Sequence, residues 1–165
     1  FTYWPVRLQR GGTILAPGNP DAPVQLVDVR DLAQWTIRMI EQRGAGIYNA
    51  TGPELPLSMR QVLETCRQAA GTPAEFVWVD ELFLLAQGVT PFTGLPLWLP
   101  GFAAAMHQVS IAKALAAGLT FRSLAETVAA TLTWDNTRQP EAQRMNGITP
   151  QCESDLLDRW MNSVA

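Results

Sequence analysis

Three features of this 165-residue sequence predict an α/β chain, of α+β character and richer in helix than in strand. Short apolar runs between Gly- and Pro-rich turns read as strands, clearest in "TILA" (13–16) and "EFVWV" (75–79). Longer segments repeat apolar residues at helical spacing. Several of these open on a Ser, Thr or Asp, three of them with Glu or Gln three residues on, which is the sequence form of a helix capping box or its variant. No internal repeat or low-complexity segment interrupts the pattern.

In chain order, residues 1–12 carry aromatics at Phe1, Tyr3 and Trp4, then basic residues, then Gly11-Gly12. This reads as a short helix or extended arm ending in a glycine turn. "PGNPDAP" (17–23) is a loop by its turn residues. "VQLVDV" (24–29) alternates like a strand, with Asp28 either facing solvent or pointing into a polar site. Asp31 with Gln34 reads as the cap of a helix whose apolar face is Leu32, Trp35, Met39 and Ile40, stopped by Gly44 and Gly46. "IYNAT" (47–51) is expected as the next strand. Ser58 and Gln61 form a capping box ahead of the stripe Met59, Val62, Leu63, Cys66 and Ala70, with Gly71 as the stop. Asp80 caps "ELFLLAQG" after the strand at 75–79.

"GVTPFTGLPLWLPGF" (88–102) holds three prolines and three glycines among large apolar groups, so no regular element fits. A loop this apolar must pack, either as a cover over the core or as a pocket wall. "SIAKALAAG" (110–118) reads as a helix ended by Gly118, "LTF" (119–121) as a short strand, and Ser123 with Glu126 as a further capping box. Residues 135–147 form a polar linker, and Thr149-Pro150 starts a last helix with Leu156, Leu157, Trp160 and Met161 on its apolar side.

Composition removes several classes of function. A net charge of −3 and a pI near 5.1 argue against a general nucleic-acid binder, which needs a basic face. No apolar run approaches the roughly 18 residues of a membrane span, and residues 1–12 lack the order of a signal peptide. Two distant cysteines, Cys66 and Cys152, argue for packing roles and for a reducing, cytoplasmic compartment. One histidine, His107, and no CxxC pair argue against zinc. His107 reads either as a solvent-facing residue or as a titrating functional group. "GAGIYN" (44–49) precedes a strand rather than following one, and "SIAK" lacks its partner motifs, so both are coincidental matches.

The stretch "VQLVDVRDLAQWTIRMIEQRGAGIYNATG" resembles the second half of an extended short-chain dehydrogenase/reductase, the NAD-dependent epimerase/dehydratase family. The likeness lies in a strand, an Asp-Leu-Ala helix, then Tyr48-Asn49 and Gly52 in a "YNxxG" strand, then a helix opening on Ser58. "VSIAKALAAGLTFRSLAETVAATLTW" (109–134) is similar to the family's late segment, a serine-x-x-lysine helix, a Leu/Gly turn and a helix ending in Trp. The similarity spans residues 1–138 and rests on order and spacing, not on any one motif.

The resemblance implies a Rossmann-type reductase or epimerase in which residues 1–138 form the substrate-binding C-terminal portion. Segment 47–51 would be the last strand of a sheet whose other strands lie in an N-terminal cofactor half. Residues 139–165 would be a linker and C-terminal helix. Tyr3 and Tyr48 are followed four residues on by Arg7 and Gly52, so neither makes the family's YxxxK pair. No glycine-rich loop follows a strand. The expectation is therefore a chain that binds no cofactor itself and is not catalytic alone, with NAD or NADP bound by the parent protein. The family's diphosphate-clamping arginine aligns with Val24, which points away from a nucleotide sugar and toward a smaller or less charged small-molecule substrate. By the resemblance, the pocket walls would be the arm with Tyr3 and Trp4 and the loop with Phe92, Leu95 and Trp98. Asp28 and His107 complete the candidate site. No catalytic or metal-binding residue is assigned.

Two other readings stay open: a stand-alone ligand-binding module, and a non-catalytic regulator of reductase ancestry. Under the fragment reading, an apolar strand left without its neighbour attracts another chain. The chain is then expected to self-associate or to hold the missing half. Sedimentation as a clean monomer at high concentration would count against it.

Overall fold

The computed structural model describes residues 1–139 and 146–164. Helix α1 (Tyr3–Gln9) leads through Gly11 and Gly12 into strand β1 (Gly12–Pro17). A two-residue strand, β2 (Pro23–Val24), precedes helix α2 (Val29–Glu41). Strand β3 (Leu57–Ser58) runs directly into α3 (Met59–Ala70), followed by β4 (Ala74–Val79) and α4 (Glu81–Ala86). A 3-10 turn (Ala104–His107), α5 (Ala112–Ala116), α6 (Leu124–Asp135) and α7 (Pro150–Val164) complete the order. The fold is mixed α/β and helix-rich, with one parallel and one antiparallel two-stranded sheet among the described residues.

β1 and β4 pair in parallel from Gly12 opposite Ala74 to Pro17 opposite Val79, and α3 is the intervening helix that parallel pairing requires. α3 starts where the sequence places it. The Ser58 hydroxyl accepts from the Gln61 N–H, and the Gln61 side chain accepts from the Ser58 N–H. Gly71 ends it in the left-handed conformation at φ 67°. The buried stripe Met59, Val62, Leu63 and Cys66 meets Trp4 and Leu8 of α1 and Val128 of α6 in the main core. A smaller core gathers Trp35, Ala114 and Leu119 under α2.

A buried ion pair ties the two ends of the chain together. Glu153 on α7 is 3% exposed and takes the Arg7 Nε–H at 2.5 Å and the Leu15 N–H at 3.1 Å. Arg7 gives its other donors to the carbonyls of Gly11 at 3.0 Å and Thr13 at 2.7 Å. Both Glu153 oxygens and all three Arg7 guanidinium nitrogens are thus paired at this junction of α1, β1 and α7.

Five sequence expectations are corrected. Segment 24–29 forms a strand only at Val24, because its N–H groups find other acceptors: Gln25 bonds to His107 Nδ1 at 3.1 Å and Leu26 to the Gly52 carbonyl at 2.8 Å. The helix cap is Asp28, not Asp31, since the Asp28 carboxylate accepts from the Arg30 N–H while Asp31 sits in the first turn. Segment 47–51 carries no strand: among the described residues no strand lies beside it to take its ladder bonds, and Ile47 is 89% exposed. Residues 119–121 are likewise not a strand, and Ile40, expected on the inner face of α2, is 71% exposed. Residues 140–145 of the expected linker lie outside the described residues.

Removing one partner of the buried pair leaves the other charge unpaired. Glu153→Ala is expected to destabilise the chain by about 3–5 kcal/mol in urea unfolding. The double replacement Arg7→Met with Glu153→Leu is expected to cost clearly less, and an equal or larger loss would show that the pair itself stabilises the fold.

Candidate functional site

Segment 26–31 leaves the small β2–β3 sheet and turns into α2 beside α6, and this turn concentrates the charge of the molecule. Asp28 is buried, and all its acceptor capacity is used. Its Oδ1 accepts from the Arg30 backbone N–H at 2.8 Å and from Arg30 Nε at 2.9 Å. Its Oδ2 accepts from the Arg30 guanidinium at 2.6 Å and from the Thr127 hydroxyl of α6 at 2.8 Å. The Arg30 side-chain bonds hold the Asp28 carboxyl far below the usual carboxylate range, against the opposing effect of burial.

One turn further on, Asp31 faces Arg122. Burial alone would raise the Asp31 pKa, but Arg122 outweighs it and the net direction is down. Arg122 binds through Nε at 2.7 Å, through a second guanidinium nitrogen at 2.6 Å and through its backbone N–H at 2.9 Å. The two carboxylates and two arginines thus fasten α2 to the start of α6. Nothing in the sequence links Asp31 to Arg122, which lies 91 residues away, or Asp28 to Thr127. Only the capping box at Ser123 hinted that a helix start lay there.

Two clefts flank this cluster. One, of about 510 Å³, runs between Val29 and α6, with Phe1, Leu26, Ala130 and Trp134 as apolar walls and Thr2, Thr127 and Thr131 as polar points. The other, of about 460 Å³, lies on the Arg122 side against Pro53, Leu55 and Phe121. An apolar wall with a few fixed hydroxyls and one cationic rim suits binding and orientation of a small molecule. It does not favour proton abstraction by Asp28 or Asp31, because arginines engage both carboxyls and hold them below their usual range, which makes them weak bases.

The remaining sequence candidates fall elsewhere. Tyr3 and Trp4 pack edge to face at 4.9 Å within the main core, and the Trp4 indole N–H donates to the Pro96 carbonyl at 2.5 Å. That bond seats loop 88–102 on the arm, so the two expected walls do meet, but as a closed contact: Trp4 and Leu95 are fully buried. Phe92 is half exposed, at φ 64°. Trp98 is buried on its core side and lines a separate cavity with Trp78 and Trp160. Burial lowers the pKa of His107, and both its nitrogens are committed: Nδ1 accepts from Gln25 and Nε2 lies 2.9 Å from the Leu97 carbonyl, to which it donates. His107 is a neutral pin between β2 and the apolar loop, neither solvent-facing nor free to act as base or ligand. Of the seven candidates, Asp28 alone lines the charged clefts.

Among the described residues, neither parallel strand runs into a glycine-rich helix start. β1 runs into Gly18-Asn19-Pro20 without opening a helix, and the helix after β4 is capped by the Asp80 carboxylate, which repels a pyrophosphate. Among the described residues, no three His, Cys, Asp or Glu side chains converge to hold a metal ion. Cys66 is buried, its thiol pushed up to about 12 by desolvation, and it behaves as a packing group. Comparison with protein-family models and with curated proteins finds no match to this chain.

A carboxylate whose folded pKa is depressed contributes stability above its unfolded pKa of 3.8 and loses it as pH falls toward the folded value. Asp28→Ala is expected to cost about 2–3 kcal/mol at neutral pH through loss of the cap and the charged hydrogen bonds. The gap between wild type and Asp28→Asn should be full above pH 4 and narrow steadily below it. Acid titration of unfolding free energy measures this.

Proposed function

We propose that this chain is the substrate-binding C-terminal part of an NAD(P)-dependent reductase or epimerase of the extended short-chain kind, acting on a small molecule and not catalytic alone. The observation that carries this reading is an apolar surface on α2. Val29, Ala33, Ile37 and Ile40 form a stripe at spacings of four, four and three, and Val29, Ile37 and Ile40 are 75, 58 and 71% exposed. Ile47 and Leu55, at 89 and 77% exposed, lie on the segment just after α2. Grouped apolar exposure of this kind marks a surface that another body covers.

The motif residues add weight through their packing. A Cβ at Gly52 would stand 2.2 Å from the Phe121 ring, so the "YNxxG" glycine is required by close approach. Tyr48 packs edge to face on Trp35 at 5.4 Å. Val29 begins the exposed stripe and also walls the 510 Å³ cleft, so a cofactor half seated on α2 would border that cleft. Substrate sites favour such domain boundaries. In this reading the clefts at Asp28 and Thr127 hold the substrate, and the hydride chemistry belongs to the absent half.

Titration of NADH and NADPH against this chain is expected to show no saturable change in nucleotide fluorescence. Micromolar saturation would overturn the reading. A second arm tests the surface: the isolated chain should self-associate, and Ile37→Asp with Ile40→Asp should weaken that association by about 100-fold at unchanged circular dichroism.

A further inference from the structure

The parallel strands β1 and β4 end side by side at Pro17 and Val79. Both carboxyl ends open on the cavity of about 560 Å³ that Trp98 lines, well apart from the Asp28 cluster in sequence and in lining. In sheets of parallel strands, ligands gather at the carboxyl ends. The walls here are the indoles of Trp78, Trp98 and Trp160, together with Asn19, Asp80 and Glu81; among the described residues no Lys or Arg lines the cavity.

Three details define what would fit. Trp98 is 4% exposed, and its indole N–H has no hydrogen-bond acceptor, an uncompensated buried donor beside the cavity. A Cβ at residue 18 would lie 3.3 Å from that nitrogen, so the Gly18 turn runs close beside the indole N–H, and an acceptor oxygen reaches it once this turn shifts. The carboxylates are only partly used. Asp80 lines the cavity and takes the Leu82 and Phe83 N–H groups on Oδ1 alone, and Glu81 takes the Gly101 N–H at 3.1 Å. The Trp78 ring already receives a cation, the Arg60 guanidinium 5.4 Å from its centroid.

We propose that this cavity binds a small methylated ammonium ion of the choline type. The sign of the lining decides the class. Two carboxylates and three indoles, with no Lys or Arg in the lining, favour a cation over an anion, and a neutral ligand gains no charge attraction from the acids. A methylated ammonium spreads its charge over apolar surface, so it satisfies rings and acids together. The hydroxyl oxygen of such a ligand supplies the acceptor that the Trp98 N–H lacks. This inference does not depend on the proposed function.

The test is a titration followed by the indole N–H resonances of the full chain, using choline and the uncharged alcohol in which carbon replaces its nitrogen. Choline is expected to shift the Trp98 resonance saturably, with a dissociation constant of about 1 mM. The uncharged analogue should bind about tenfold more weakly or not at all. Asp80→Asn keeps a capping oxygen but removes the charge, and should weaken choline by several-fold. Ala104→Phe fills the cavity and should abolish the shift. An unmoved Trp98 resonance, equal binding of the neutral alcohol, or full binding by the Ala104→Phe chain would each overturn the proposal.

Discussion

The junction of Arg7, Glu153 and the Leu15 N–H sets the frame on which the other contacts are built. It joins a helix from each end of the described chain to the strand between them, in a place where both charges are largely buried. A buried pair of this sort adds little net stability, because desolvation offsets most of its attraction. Its geometric consequence is large. With α1 held against β1, the Trp4 indole reaches the Pro96 carbonyl, and the apolar loop is pinned over the core. With α7 held on the far side, Trp160 packs on Phe83 at 5.1 Å and helps wall the cavity at the strand ends.

A second charged junction works at the opposite side of the molecule with different materials. There Asp28 and Asp31 are met by arginines that remain partly exposed, so the carboxylates are buried while the cationic heads stay wet. This arrangement holds α2 to α6 and leaves a cleft on either side. α2 itself has little beneath it: Trp35, with Ala114 and Leu119, forms a core much smaller than the main one. Its apolar side is broader than that core covers, so Val29, Ile37 and Ile40 stay exposed beside the buried Trp35. An uncovered apolar strip of this kind agrees with the proposed role as part of a larger enzyme.

The features legible in the sequence were those decided within a few residues. Ser58 with Gln61 and Ser123 with Glu126 became capping boxes because both partners sit on one helical turn. The strands at 13–16 and 75–79 formed inside β1 and β4, and the stripe Met59, Val62, Leu63 and Cys66 is buried as its spacing implies. The mixed, helix-rich class follows from the same local signals. Of the candidate site, Asp28 was visible because a carboxylate in an apolar run needs a partner, although which partner was not.

What only the tertiary structure decided depends on groups brought from far along the chain. Segments 24–29 and 47–51 carry strand-like residues, but a strand exists only where a neighbour takes its N–H and C=O groups. The first segment met His107, Val109 and Gly52 instead, and the second met no strand among the described residues. Tyr3, Trp4 and Leu95 went to the core rather than to a pocket because the Arg7–Glu153 junction and the Pro96 carbonyl drew the arm and the loop together. The pairing of Asp31 with Arg122, of Asp28 with Thr127, and of Trp98 with Trp78 and Trp160 follows from the same cause. Local sequence specifies caps, turns and faces, whereas long-range contacts assign those faces to core, cleft or open surface.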